Sequence, residues 1–318
     1  MEAVTIVDGA LRWTSHPDPV AGDTEVVVAV KAAGINSADL IQRLGFYPAP
    51  AGVPADIPGL EVAGVVVAVG ARTSRLAVGD RVMAVVGGGA QAELVTIEED
   101  CALGVPDGLS WPEAGGFPEA FSTAYDALFT QCGLAAGDRV LVTGAAGGVG
   151  TAGVQLAAAT GARVVASVRS PGRREAVAAL GADACVGPEE ALALGPFDVV
   201  LELVGASSLT GCLDALATGG RIVVIGVGGG GARAEVDLMT LMHRRGRISA
   251  STLRARSLHD KATVAAAVEA HVLPHLVSGR IRVPVEETFP LQSAAEAYDR
   301  FSTGGKLGKI VLVAPGSV

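Results

Sequence analysis

Apolar residues in the first third of the chain fall in short Val-rich runs broken by Gly, Pro and Asp. Residues 25–31, 62–69, 81–86 and 92–97 each predict a strand bounded by turn residues. Gly79-Asp80 marks a turn before the third of them. Pro48, Pro50, Pro54 and Pro58 keep the stretch after Tyr47 extended, because proline lacks the N–H that helices and ladders need. Residues 1–120 therefore read as strand-rich.

From about residue 122 the rhythm changes. Apolar runs at 140–143, 163–168, 184–186, 198–203, 221–225 and 247–252 alternate with helix-length segments. The helices are expected from about Gly148, up to near Leu180, over 207–217 and near 237–244. Six strands alternating with helices predict the α/β class and a doubly wound parallel sheet. A helix-rich stretch follows at 259–278, which Pro274 ends or kinks. Then come a short run at 280–283, a helix at 293–302 and a last strand at 309–313. That strand has no partner in the alternating series, so it is assigned to the strand-rich part. The expected division is one domain of 1–121 with 262–318, into which a second, 122–261, is inserted. There are no repeats or low-complexity linkers.

Composition narrows the picture. A chain of 318 residues suggests two domains rather than one core. Half its residues are apolar and its mean hydropathy is +0.46, so it can bury a large core. Aromatics make up only 4%, which leaves Ala, Val and Leu to fill that core. Residues 140–162 carry no charge and are long enough to cross a bilayer. Their glycines, with Thr143, Thr151, Gln155 and Thr160, fit a strand, a turn and a buried helix better. A net charge of -9 and a pI near 5.1 argue against nucleic acid or an anionic membrane as partner. Cys101, Cys132, Cys185 and Cys212 are too scattered for a metal ribbon and read as reduced thiols of a cytoplasmic protein. The opening Met1-Glu2-Ala3-Val4 lacks the pattern of a signal peptide. The five histidines show no ligand spacing, so no metal site is expected.

The candidate chemistry starts at Val140-Leu-Val-Thr-Gly-Ala-Ala-Gly-Gly-Val-Gly150. A glycine turn between strand and helix lets backbone approach a pyrophosphate, and the helix N-terminus supplies free N–H groups. Alanine stands at the first glycine position of the hexad, and Gly150 is expected to allow close packing of helix on strand. An NAD site usually carries a carboxylate about 20 residues beyond the loop. Here Val168 falls there, followed by Arg169, Arg173 and Arg174. With Ser167, those guanidinium groups suit a 2′-phosphate, or else form a solvated helix start. The missing acid favours NADPH ahead of NADH.

These residues carry a resemblance. Ala33-Gly-Ile-Asn-Ser-Ala-Asp39, Gly59-Leu-Glu-Val-Ala-Gly64, Val78-Gly-Asp-Arg-Val82, the loop from Ala145 to Gly150 and Gly304-Gly-Lys-Leu-Gly-Lys309 form an ordered set. In this the chain resembles the medium-chain dehydrogenase/reductase superfamily, and within it the zeta-crystallin-like quinone oxidoreductases. Gly87-Gly-Gly-Ala-Gln-Ala-Glu93, Pro118-Glu-Ala120 and Ser251-Thr-Leu-Arg-Ala-Arg256 look most like the p53-inducible quinone reductase subgroup. The resemblance implies a Rossmann sheet inserted in a GroES-like substrate domain. It also separates the chain from zinc-dependent alcohol dehydrogenases. Asn36 and Leu60 stand where those enzymes place a cysteine and a histidine, so no catalytic zinc can be held. Asp39 and Glu61 are then expected to be structural hydrogen-bonding groups.

The resemblance further implies NADPH:quinone reduction by hydride transfer without metal, on a quinone or a related conjugated carbonyl. Asn36 and Tyr47 are the candidate donors to the developing oxyanion, and Tyr47 can equally be packing under its proline-rich loop. Thr123, Ala146, Gly147, Gly148, Val149, Ser167, Arg169, Arg173, Val204, Gly226, Val227, Ser251, Thr252 and Leu253 are the expected cofactor contacts. Lys309 is either a further contact or a surface cation. Relatives often carry Tyr or Lys near 187–188, where this chain has Gly187-Pro188, which leaves Ser167 and the arginines to hold the phosphate. One alternative is an enoyl-thioester reductase, because polyketide enoyl reductases carry a segment like Gly45-Phe-Tyr-Pro48. Arg244, Arg245, Arg254 and Arg256 would then line a basic groove, or simply be solvated. A third reading is an NADPH-binding sensor or structural protein without turnover. A homodimer paired through sheet edges is expected by resemblance.

Overall fold

The structure, a computed structural model, describes residues 1–317 and divides into two compact units. Unit 1 comprises 1–122, 253–273 and 283–318; unit 2 comprises 123–252 and 274–282. In chain order the strands of unit 1 begin with β1 (Glu2–Val7), β2 (Ala10–Ser15), β3 (Glu25–Gly34), β4 (Glu61–Val69), β5 (Arg81–Val85), β6 (Leu94–Glu98) and β7 (Ala102–Gly104). Unit 2 holds β8 (Arg139–Val142), β9 (Arg163–Ser167), β10 (Ala184–Val186), β11 (Phe197–Glu202), β12 (Leu216–Val224) and β13 (Arg247–Ala250). The chain returns to unit 1 with β14 (Val285–Pro290) and β15 (Lys309–Val313).

Unit 2 is built on six parallel strands in the order β10-β9-β8-β11-β12-β13. Val140 to Val142, Val199 to Leu201, Ile222 and Val223 have no exposure, as expected of strands covered on both faces. The strand order reverses between β8 and β11, the switch point at which such sheets bind ligands beyond their C-terminal ends. The helix Gly148–Thr160 follows β8 and ends at Gly161, whose φ of 85° gives the left-handed cap. Unit 1 carries a sheet ordered β14-β15-β3-β4-β5-β7, with β6 paired to β3. The last strand, β15, lies antiparallel to β3. Among the described residues no helix is long and apolar enough to cross a membrane.

Several expectations need correction. The short run at 280–283, to which the sequence reading gives no element type, is not a strand. The Gln155 side chain accepts from the Arg282 N–H (2.8 Å) and donates to the Arg282 carbonyl (3.0 Å), so an amide side chain stands where a ladder partner would. The strand begins instead at Val285, after Pro284. β12 starts at Leu216 rather than 221, because a register shift between Phe197 and Val199 absorbs the Gly219-Gly220 irregularity. The helical stretch 259–278 is two helices, Leu258–His271 and Leu273–Val277. Pro274 lies in the first turn of the second, where its missing N–H costs nothing. The structure adds a β1–β2 hairpin, whose turn is formed by Asp8 (φ 50°) and Gly9 (φ 75°).

Candidate functional site

The glycine loop of unit 2 is made of backbone. Gly144 has φ 56°, and its carbonyl accepts from the Gly147 N–H at 3.0 Å. Gly147 caps the helix with extended φ and ψ of -76° and 173°, and having no side chain it leaves the first-turn N–H groups free for a ligand. The Ala145 N–H donates to the Ser167 carbonyl (3.1 Å), tying the loop to β9. Ala146, Gly147, Gly148 and Val149 are half-buried, between the buried Ala145 and Gly150. A Cβ on Gly150 would lie 2.5 Å from the Gly144 carbonyl oxygen. Gly150 therefore closes the turn on itself. The glycine that brings helix to strand is Gly153, whose Cβ would meet Leu201 at 2.5 Å.

Apart from Thr123 and Arg173, which lie on helical turns, the other expected cofactor contacts of this unit stand at or just beyond the C-terminal ends of strands. Ser167, 6% exposed, ends β9; Arg169 is exposed in the following turn, and Arg173 is half-buried. Val168 is buried, so no carboxylate occupies that strand end. Arg174 donates to the Val168 carbonyl (3.2 Å) and lies 3.9 Å from Glu190. A Cβ on Gly187 would meet the Arg174 guanidinium at 2.9 Å, so Arg174 fills space that a side chain at 187 would take. Gly226 faces the Leu203 carbonyl so closely that a Cβ would lie 2.4 Å from its oxygen, and Val227 beside it is exposed. Thr123 is buried in the helix Pro118–Tyr125. Ser251 and Thr252 follow β13, while Leu253 belongs to unit 1 and is buried there.

Two carboxylates of unit 2 went unassigned in the sequence. Glu202 has no exposure; one carboxylate oxygen accepts from Val204 N–H (2.7 Å) and Gly205 N–H (2.8 Å). The other accepts from the Cys212 thiol at 3.3 Å. Burial first, then the neighbouring carboxylate, pushes that thiol's pKa up. An acid inside the apolar run Val199-Val-Leu-Glu202 was the available signal. Asp126, 1% exposed, opens a π-helical turn, Asp126–Gln131, and accepts from the Ser251 hydroxyl at 2.7 Å.

Unit 1 holds a cluster built from side chains. Asn36 precedes the helix Ser37–Arg43, and its N–H donates to the Asp39 carboxylate (2.7 Å). The other Asp39 oxygen accepts from Gly59 N–H (3.1 Å). Burial raises the Asp39 pKa from 3.8 to about 6, against those two N–H groups and Lys309, which pull it down. The Asn36 amide donates to Glu61 (2.9 Å) and accepts from the Lys309 ammonium (2.7 Å). Lys309 is 3% exposed and paired with Glu61, so it is no surface cation; sequence spacing gave no sign of this partnership.

Arg254 also departs from expectation. It is neither solvated nor free to line a basic groove, being 5% exposed. Its guanidinium donates to the carbonyls of Gly87 (2.7 Å) and Tyr47 (2.9 Å) and to the Gln42 side chain (2.7 Å). It also lies 4.9 Å from the centre of the half-buried Tyr47 ring. Burial lowers its pKa. Among the described residues no three of His, Cys, Asp and Glu converge as a metal ion would require.

Residues 22–107 match the family described as alcohol dehydrogenase GroES-like domain, and residues 148–270 the family described as zinc-binding dehydrogenase. The chain is 30% identical to a quinone oxidoreductase-like protein 2 homolog of Nematostella vectensis, over 92% of this chain and 82% of that protein. It is 33% identical to polyketide synthase GfsB of Streptomyces halstedii over 96% of its own length, but spans only 5% of that synthase. Among solved structures, the quinone oxidoreductase of Thermus thermophilus, also determined in complex with NADPH, is 34% identical with a TM-score of 0.85. That match covers 98% of this chain and all of the other (100%).

Proposed function

The chain belongs to the zinc-free, quinone oxidoreductase-like proteins of the medium-chain dehydrogenase/reductase superfamily, and from that premise we propose that it is an NADPH-dependent reductase of quinones or related conjugated carbonyls. The observation that carries the cofactor is the glycine-capped first turn of Gly148–Thr160, a cradle with no side chain to fill it. NADPH is favoured over NADH because Val168 is buried where an acid would bind ribose hydroxyls, with Ser167, Arg169 and Arg173 beside it in sequence. The proposed contacts further along are Thr123, Val204, Gly226, Val227, Ser251, Thr252 and Leu253.

A reduced nicotinamide bound there supplies hydride. The chain's own residues hold the nucleotide through backbone N–H groups and donate a hydrogen bond to the substrate oxygen as negative charge develops on it. Asn36 and Tyr47 of unit 1 are the proposed donors. The Tyr47 loop is held by Arg254 through its backbone and its ring, which supports a fixed rather than a wandering tyrosine.

One observation favours a second reading. The likeness to a segment of a polyketide synthase is as strong as that to the quinone oxidoreductase-like homolog, which keeps an enoyl-thioester substrate beside the quinone. The deciding experiment follows NADPH and NADH oxidation with an ortho-quinone, a para-quinone and a short enoyl-CoA, in wild type, Arg169→Ala and Arg173→Ala. Quinone-dependent oxidation that prefers NADPH, with the preference reduced at least tenfold in the arginine variants, is the expected result. Turnover with the thioester alone would move the protein to the second class. Binding without turnover on any substrate would leave a sensor.

We also propose a homodimer through unit 2. β13 is an edge strand, and Leu238, Met239 and Met242 on the helix Leu238–Arg244 are each more than half exposed (66%, 58% and 68%). Sedimentation at micromolar concentration should give twice the 31.8 kDa chain mass, and Met242→Glu should shift it toward the monomer.

A further inference from the structure

Glu61 and Lys309 are far apart in sequence, and no step proposed above uses them. Both are almost completely buried, at 0% and 3% side-chain exposure. Every strong partner they need is present. The Lys309 ammonium donates to Glu61, to the Asn36 amide oxygen (2.7 Å) and to the Ile35 carbonyl (3.1 Å), which uses its three N–H groups. The second Glu61 oxygen accepts from Glu119 N–H at 2.9 Å. The surrounding backbone is shaped for the pair. A Cβ on Gly34 would lie 2.2 Å from a Glu61 carboxylate oxygen, and one on Gly116 would lie 3.2 Å from Lys309 Cγ.

Stability alone does not call for such an arrangement, because a buried ion pair is often no better than apolar residues of the same volume. What it supplies is orientation. The two ends of an asparagine amide have nearly the same shape, and only their partners decide which way it points. Lysine has donors only, and a carboxylate acceptors only. Asn36 must therefore turn its oxygen to Lys309 and its nitrogen to Glu61, with its second N–H left in a defined direction.

We infer that Lys309 and Glu61 are positioning residues that lock the Asn36 amide in one orientation, so that its remaining N–H is the donor presented to the substrate oxygen. This rests on the reading of Asn36 as a donor. Lys309 then acts through Asn36 and not on the cofactor.

The test is a double-mutant cycle on quinone-dependent NADPH oxidation, with NADPH affinity measured separately by fluorescence titration. Lys309→Met should lower kcat by about tenfold to a hundredfold, below or near the loss of one oxyanion donor, with NADPH Kd changed less than about twofold. Asn36→Ala should lower kcat at least as much. The pair together should be no slower than Asn36→Ala alone, because residues acting as one unit are not additive. Glu61→Gln/Lys309→Met buries no unpaired charge and should fold yet stay slow. If Lys309→Met does not fold, this neutral pair with and without Asn36→Ala carries the same cycle. A rise in NADPH Kd that accounts for the lost kcat/KM would put Lys309 on the cofactor and overturn the inference. So would full additivity with Asn36→Ala, or wild-type kcat in the neutral pair. Wild-type kcat in Asn36→Ala would sink the donor reading itself. A slow Asn36→Ala with a fast Lys309→Met would sink only the positioning role.

Discussion

The two units build their candidate chemistry from opposite materials. In unit 2 the loop from Gly144 to Gly150 offers backbone N–H groups and space, and its side chains contribute almost nothing. In unit 1 the cluster of Asn36, Asp39, Glu61 and Lys309 is built mainly of side chains, which bond one another and the backbone groups of Ile35, Asn36, Gly59 and Glu119. A site made of backbone is most sensitive to added volume where the turn closes on itself, as at Gly150. A site made of side chains is sensitive to each donor and acceptor, and its geometry lasts only while every partner is satisfied. Substitutions that add volume should therefore strike the first, and substitutions that change polarity the second.

The largest effect is expected at Gly150. Alanine there places Cβ 2.5 Å from the Gly144 carbonyl oxygen and 2.7 Å from Ala145 Cα, both backbone atoms that cannot swing aside. The turn must open, at a cost of about 1–3 kcal/mol in stability. NADPH affinity should fall at least a hundredfold, because the first-turn N–H groups move with the turn. Calorimetric titration with NADPH checks it. Undiminished affinity would mean that the loop is not the nucleotide's cradle.

The same contrast explains what was legible in the sequence. The glycine loop is local: its residues are consecutive, and the strand, turn and helix around them each leave a periodic mark. The six-stranded sheet was read for the same reason, since five of its strands carry apolar runs that lead into helices and the sixth, Arg247–Ala250, closes the series. Even there, Gly153 and not Gly150 proved to carry the helix-to-strand approach, because a one-dimensional pattern does not say which glycine faces which neighbour. The unit 1 cluster joins positions 36, 61 and 309, and nothing in their spacing tells that Lys309 is buried against Glu61. Arg254 was misjudged by the same logic. Two residues before Arg256, it reads as lining a basic groove or as solvated, and only the fold brings Gly87, Tyr47 and Gln42 to its guanidinium.

Arg254 tests the side-chain half of the contrast. Arg254→Met keeps much of the apolar stem and removes the donors to the Tyr47 loop. The Gln42 side chain and two carbonyls then lose a charged partner, which costs about 2–4 kcal/mol and is read as a lower Tm. The expected kinetic result is a rise in quinone KM of about tenfold, with NADPH Kd unchanged, since none of its partners Gly87, Tyr47 and Gln42 is a proposed cofactor contact. Equal losses in both would place Arg254 in cofactor binding.

The smallest effect concerns Asp39, and it is a matter of sign. Its carboxyl titrates at about 6 in the folded chain and near 3.8 when unfolded, mainly because burial disfavours its charge. Between those values the folded chain holds a proton that the unfolded chain has released. Stability contributed by this group is thus complete below pH 3.8 and is lost as pH rises through 6, by about 3 kcal/mol at most. Asp39→Asn cannot titrate. It has one oxygen for two N–H donors, from Asn36 and Gly59, so it should be less stable than wild type at about pH 4.5 by about 1–3 kcal/mol. The difference should shrink as pH is raised to about 7, because only the wild type loses stability in that window. Chemical denaturation of both proteins across that range isolates the term, since every other titrating group is common to the two. A constant difference would show that the buried carboxylate keeps its charge throughout, held by the two N–H groups and Lys309 against the cost of burial.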